Sequence, residues 1–290
     1  MSVSKVNGIA VPNVSKVGMV DISLFNEING IDLYDTDAAA YIARVEGASG
    51  DNQALEASVK MAINKFVIGC KLDGIWSAIK ASCILAGART LNGALQPLVG
   101  TAPTNANFVS GDYNRKTGLV GDGSTKYLNS NRNNNADPQN SRHLAVYANL
   151  QSSASIQLFL GGRSAGSGVG ASFMGFNTTG SAGWFRSIPD TDGHQTSGSM
   201  SVGVGTLIGE SRSASGSYTA RVSGSSATIS STSTTPNNIN LFVFCQNNQG
   251  TAASFTNARL AFYSIGESLD LAKLDTRVSA LITTLGAAIP

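Results

Sequence analysis

The residues able to do chemistry are few, and they lie in one part of the chain. Residues 151 to 250 hold seven charged side chains and no lysine, and their acids are Asp190, Asp192 and Glu210. Glycoside hydrolysis needs paired carboxylates about 5–9 Å apart, and this stretch has no Glu-x-x-x-Glu run to present them from one strand. The two histidines, His143 and His194, have no Gly-x-Ser-x-Gly elbow to serve. The clusters Gly166-Ser167-Gly168 and Gly203-Val204-Gly205 lack the following helix that a phosphate cradle uses. The expectation is therefore binding without catalysis. Sugar recognition would use an aromatic face with amides and carboxylates, and the candidates are Trp184, Asp190, Asp192, His194, Asn247 and Asn248. Trp184 also suits a sheet core. Asp190-Thr191-Asp192-Gly193 opens like a calcium loop but lacks the later glutamate of an EF-hand. It reads equally as an Asx-turn loop tip.

These residues sit among short apolar runs separated by turn clusters. Gly and Ser supply 37 of residues 151 to 250, yet Phe, Trp and Tyr recur through them, which a flexible linker would not show. About a dozen short strands between residues 97 and 266 predict a sandwich or barrel. Ahead of it, residues 35 to 96 read as about three helices. The first is capped by Asp35 or Thr36, the second runs over Asn52 to Ile68, and the third over Ile75 to Leu85. Trp76 falls on the third, where apolar neighbours make it core rather than a stacking residue. After the sandwich, Leu271, Leu274, Val278, Leu281 and Leu285 are spaced 3, 4, 3, 4 on a helix of residues 267 to 290. Such a seam can pair subunits or pack on its own domain.

Residues 1 to 34 carry a repeat of period 11: Lys5-Val6-Asn7-Gly8-Ile9, Lys16-Val17-Gly18-Met19-Val20 and Glu27-Ile28-Asn29-Gly30-Ile31. Asn-Gly favours tight hairpin turns, and hairpins this small cannot close a core alone. They read as an assembly arm or as a local appendage of the main domain. Net charge is +2 with only 13% charged residues, which gives no footprint for nucleic acid. Apolar runs reach about five residues, against the roughly 20 of a membrane span. Nothing at Met1-Ser2-Val3-Ser4-Lys5 marks export. Cys70, Cys83 and Cys245 are too far apart for a zinc site and suit buried thiols.

Three stretches carry a resemblance. Tyr113 to Leu128, containing Gly121-Asp122-Gly123-Ser124-Thr125-Lys126-Tyr127-Leu128, followed by His143-Leu144-Ala145-Val146-Tyr147, resembles the opening of concanavalin A-like (laminin G-like) jelly-roll domains. Arg259-Leu260-Ala261-Phe262-Tyr263-Ser264-Ile265-Gly266, running into a leucine-spaced helix, is similar to the close of such domains in bacteriophage virion proteins. So is the segment Gly74-Ile75-Trp76 with Ala81 to Leu91, and the Lys-Val-Asn-Gly repeats resemble those of phage fibres. The resemblance spans about residues 1 to 285. It implies a fibre, spike or capsid decoration protein of the virion, commonly a homotrimer. An N-terminal arm would engage other virion proteins, and the jelly roll would reach for host cell-surface glycan, with calcium near its rim. A free carbohydrate-binding module and a glycan-cleaving enzyme on the same fold are the alternatives.

Overall fold

The computed structural model describes residues 34–48, 54–150, 157–164, 168–176, 183–192 and 205–290, with the short strands Lys5–Val6, Ile9–Ala10, Glu27–Ile28, Ile31–Asp32 and Gln195–Thr196. Two sheets make the body, antiparallel except where Gly162 and Arg163 pair in parallel with Asn247 and Asn248. Sheet one runs, in spatial order, Ser225–Ser230, Ser217–Val222, Thr206–Arg212, Arg142–Leu150, Arg259–Gly266, Gly118–Val120 and Tyr113–Asn114. Sheet two runs Gln195–Thr196, Gly183–Ser187, Ser172–Phe176, Gln157–Arg163, Asn240–Val243, Tyr127–Asn133 and Thr104–Ala106. Runs of consecutive strands pair within one sheet, such as Gln157–Arg163 through Gln195–Thr196 and Thr206–Arg212 through Ser225–Ser230, and the chain crosses between the layers from run to run in a jelly-roll sandwich. Between the sheets lies one apolar core with Leu119, Leu128, Val146, Phe159, Phe185, Ile208 and Tyr263 at its centre.

The helices are α1 (Thr36–Ala48), α2 (Ala57–Leu72), the single turn α3 (Leu91–Ala94) and α4 (Leu271–Ala288). The end of α2 is set by a Schellman arrangement. Gly74 adopts φ +73°, and the N–H groups of Gly74 and Ile75 donate to Lys71 O and Cys70 O. There the expected third helix fails. Trp76–Ala78 is one 3₁₀ turn, and Ile79–Ile84 is a strand pairing Arg259–Gly266. Ile75, Ile79 and Cys83 recur every four residues and imitate a helix, although Ile79, Ala81 and Cys83 also alternate with Lys80 and Ser82 as a strand does. The expected strand at Asn107-Phe108-Val109 is likewise displaced to Thr104–Ala106, because Asn107 turns the chain at φ 68°.

α2 and α4 cover the outer face of sheet one. Phe66 of α2 meets Phe262 edge-on at 5.8 Å. A Cβ on Gly69 would lie 2.8 Å from Arg277 Nε, and one on Gly209 would lie 3.0 Å from Leu271 Cδ2. These small residues let α2 approach α4 and let α4 approach the sheet. Leu271, Leu274, Val278, Leu281 and Leu285 are therefore all buried within the chain, none above 3% exposed. The seam expected between subunits is satisfied by α2 and sheet one. Asp270, not Ser268, caps α4, its carboxylate accepting from Ala272 N and Lys273 N. Residues 35–290 form one compact unit and 1–34 another, so the helical segment is not a separate domain. In the first unit Val6 pairs Ile9 and Ile28 pairs Ile31, the positions flanking two of the Asn-Gly pairs. The middle repeat lies outside the described residues.

Candidate functional site

The residues expected to bind sugar do not converge. Trp184 is 8% exposed and packs in a small apolar cluster with Leu158, Ala171 and Phe173. Phe173 meets it edge-on at 5.7 Å, and the Arg186 guanidinium lies 5.3 Å from the Phe173 centroid. Trp184 is thus a sheet residue rather than an open stacking platform. Asp192 pairs with Arg186 at 2.9 Å and accepts from Gly168 N at 2.8 Å. That pairing leaves the Asp190–Asp192 loop poorly suited to calcium, since Asp192 already faces a guanidinium. Among the described residues no group of three or more His, Cys, Asp or Glu could hold a metal. Asp190 is exposed, and its backbone N–H donates to Thr232 O. His194 lies outside the described residues.

Asn247 and Asn248 serve the backbone. Buried Asn247 donates to Asn240 O and accepts from Gly250 N, both at 2.9 Å, which shapes the turn to Thr251–Ala253. Asn248 Oδ1 accepts from Arg163 Nε at 2.9 Å. Asn247 sits beside Gly162, and the pairing then runs from Gly162 to Ser172 to Ser187. Three strand spacings, about 14 Å, separate the amides from the Trp184 strand.

The charged side chains of the sandwich instead fasten its interior. Arg212 is completely buried. It donates to Ser187 O of sheet two and to the carbonyls of Ala214, Ser215, Ser217 and Ser231 at 2.8–3.3 Å. Arg142 pairs with it across the strands and donates to Asn134 O and Oδ1. Glu210 lies on the same inward face as Arg212, and burial pushes its carboxyl up to about 8 against the pull of both arginines. His143 points to the opposite face of sheet one. It bonds Glu267 O at 2.6 Å and Ser264 Oγ at 2.8 Å, and burial pulls its imidazole down to about 4. Both groups are structural. In the conspicuous Gly-Asp-Gly-Ser-Thr-Lys turn, which carries the chain from sheet one to sheet two, Asp122 accepts from the N–H groups of Ser124, Thr125 and Lys126 and from Thr125 Oγ1. Those bonds hold its carboxyl well below the usual carboxylate range despite partial burial. The three cysteines are free and buried, with Cys70 and Cys83 pushed up to about 12 by burial.

Two open recesses lie outside the sandwich interior. One, of about 370 Å³, is lined mainly by hydroxyls at the start of α4, including Ser211, Ser213, Thr219 and Ser226. The other, of about 360 Å³, lies between α1 and the segment 97–100 and includes Asp37, Arg44 and Trp76. Its Trp76 is the residue that sequence reasoning consigned to a helical core. The error followed from the missed strand, because a tryptophan opening a 3₁₀ turn faces a groove that no helical period reveals.

No family model matches the chain, and no curated protein matches it. Solved structures do align with it. NanB sialidase from Streptococcus pneumoniae aligns at 14% identity over 49% of this chain and 24% of its own, with a TM-score of 0.39. The Ruminococcus gnavus IT-sialidase CBM40, bound to alpha2,3 sialyllactose, aligns at 14% identity over 51% of this chain and 83% of its own, with a TM-score of 0.38. A Trypanosoma rangeli sialidase mutant displaying trans-sialidase activity aligns at 10% identity over 76% of this chain and 39% of its own, with a TM-score of 0.46. All these scores fall under one half, so no site or activity passes from these proteins to this chain.

Proposed function

We propose that the protein is a structural bacteriophage virion protein of the fibre, spike or decoration kind, adhesive rather than catalytic. The observation that carries this reading is the division of the chain. A body with one complete core spans residues 35–290, and the chain ahead of it is a separate unit whose sequence repeats every 11 residues, with short hairpins at the first and third repeats. Two-residue strands such as Lys5–Val6 and Ile9–Ala10 bury little by themselves, which suits a segment that gains its stability by docking on another virion component. The sandwich supports adhesion over turnover because three of its acids are committed. Glu210 is shut between the sheets, Asp192 is paired with Arg186, and Asp122 clamps its own turn.

The multi-copy state belongs to this reading, but it no longer draws on the leucine seam. A homotrimer would have to form through the arm or another surface of the body. Deletion of residues 1 to 34 tests the reading. The truncated body is expected to fold with an unchanged melting temperature and to disappear from purified particles. Particles carrying the truncated protein at normal copy number would overturn it, as would a full-length protein that never joins a particle. The latter result would favour the free carbohydrate-binding module.

A further inference from the structure

The cleft beside Trp76 is built from three directions. Asp37, Ala40 and Arg44 are three and four residues apart and share one face of α1. Pro97, Leu98, Val99 and Gly100 form the facing wall. Trp76 is held by the Schellman end of α2 and by its 3₁₀ turn, and its indole N–H donates to Asp37 Oδ2 at 3.1 Å. Lys71 Nζ stands 5.8 Å from the indole centroid and pairs with Asp37 at 2.6 Å and Asp35 at 2.7 Å. Arg44 Nη2 donates to Pro97 O at 3.0 Å, which fixes the guanidinium against the wall. The indole is therefore immobilised while only half-buried, and a half-exposed carboxylate and an exposed guanidinium lie in the same recess.

That combination suits one ligand chemistry better than others. A pyranose offers an apolar C–H face to an aromatic ring and neighbouring hydroxyls that both donate and accept. A guanidinium has five N–H donors, of which Nη2 alone is engaged by the wall carbonyls. Asp37 supplies the complementary acceptor. Two acids and two bases around the cleft give no positive field for a phosphate backbone. At about 360 Å³ the recess lies at the small end of the ligand-site range of about 300–1,000 Å³, which fits a short saccharide.

We propose that the Trp76 cleft is a saccharide-binding site, taking the terminal sugar of a surface glycan between Trp76, Asp37 and Arg44. This rests on the adhesion reading above but moves recognition from the sandwich to the helical side of the body. The chain has two tryptophans, so Trp184→Phe leaves Trp76 as the sole indole reporter. The experiment screens the full-length protein on an array of bacterial surface oligosaccharides and titrates each hit into Trp184→Phe while following tryptophan emission. The expected result is at least one hit that changes Trp76 emission, with binding reduced about 10-fold or more by Trp76→Ala and by Arg44→Ala, consistent with loss of one stacked ring or one charged hydrogen bond. Trp76→Phe, which keeps the stacking and loses the N–H bond to Asp37, is expected to retain part of the affinity and to control for folding. An array without hits overturns the proposal, and so does a hit whose affinity is unchanged in Trp76→Ala and Arg44→Ala. Particle incorporation is scored separately. A Trp76-dependent hit from a protein that never joins a particle refutes the virion reading and leaves the cleft assignment standing.

Discussion

Two strands, one from each sheet of the sandwich, use the same sparse chemistry in opposite ways. In sheet one the strand Arg259–Gly266 is buried on both faces after its first residue, because α2 and α4 close the outside. In sheet two the strand Tyr127–Asn133 alternates, with Leu128 and Ser130 inward and Asn129 and Asn131 outward. Tyr127 stacks on Phe242 at 4.7 Å there, and the asparagines bond across strands and to loops. A covered face selects small residues and tight contacts, whereas an open face is solvated by amides. Neither needs many charges, and the few present were placed where a single side chain joins layers.

The largest effect is expected at the bolt between the sheets. Arg212→Ala leaves buried carbonyls from both layers without a donor, and Glu210 without one of its two guanidinium neighbours. Breaking a buried charge of this kind costs about 3–5 kcal/mol. Urea unfolding should show both sheets lost in one early transition. A cost below about 1 kcal/mol would mean that the layers are held by the apolar core alone.

The cover on sheet one comes next. Leu274→Ala empties a fully buried site under α4 and should cost about 2–5 kcal/mol. The equivalent truncation on the open face, Asn131→Ala, removes a bond to Ala102 O from an exposed position and should stay within about 0.5 kcal/mol. Equal losses at the two sites would erase the distinction between the sheets.

The two faces of sheet one also titrate in opposite senses. His143, on the outer face, is lowered from 6.5 to about 4 by burial. The unfolded chain takes up that proton first, so stability is complete above about 6.5 and declines toward pH 4, by up to about 3 kcal/mol. Glu210, on the inner face, is raised from 4.5 to about 8. The unfolded chain releases that proton first, so stability falls as pH rises from about 4.5 to about 8. Melting temperatures across pH 4 to 9 should peak on the acid side of neutrality. His143→Asn should flatten the acid limb and Glu210→Gln the alkaline one. A variant that leaves its own limb unchanged would assign that limb to another group.

The smallest effect concerns the turn between the sheets that carried the family resemblance. Asp122→Ala removes a side chain that caps three backbone N–H groups, and the cost should be about 1 kcal/mol, as for a lost helix cap. Assembly and binding should be unaffected. A loss of glycan binding in this variant would give the motif a role beyond its turn.

Much of this architecture was legible in the sequence. The alternation of Tyr218, Ala220 and Val222 with polar neighbours marks a sheet with one face inward, and the 3–4 spacing of α4 marks an amphipathic helix, though Ser268 and Asp270 competed as its cap. Short-range physics governs such features, and they leave a period in the chain. The strand Ile79–Ile84 carried two periods at once, since Ile79 and Cys83 also fit a helical spacing from Ile75, and its misreading as a helix hid the Trp76 cleft. What the leucine seam packs against was equally unreadable. A row of apolar side chains specifies that something must cover it, but α2 and Gly209 are brought there only by the folded chain. The same holds for Trp184 and Arg212. Their types announce stacking or charge, while strand parity and the neighbouring layer decide that one is core and the other a bolt. Local periodicity thus determined which elements form, and the tertiary structure determined which faces remain open, because exposure depends on partners distant in sequence.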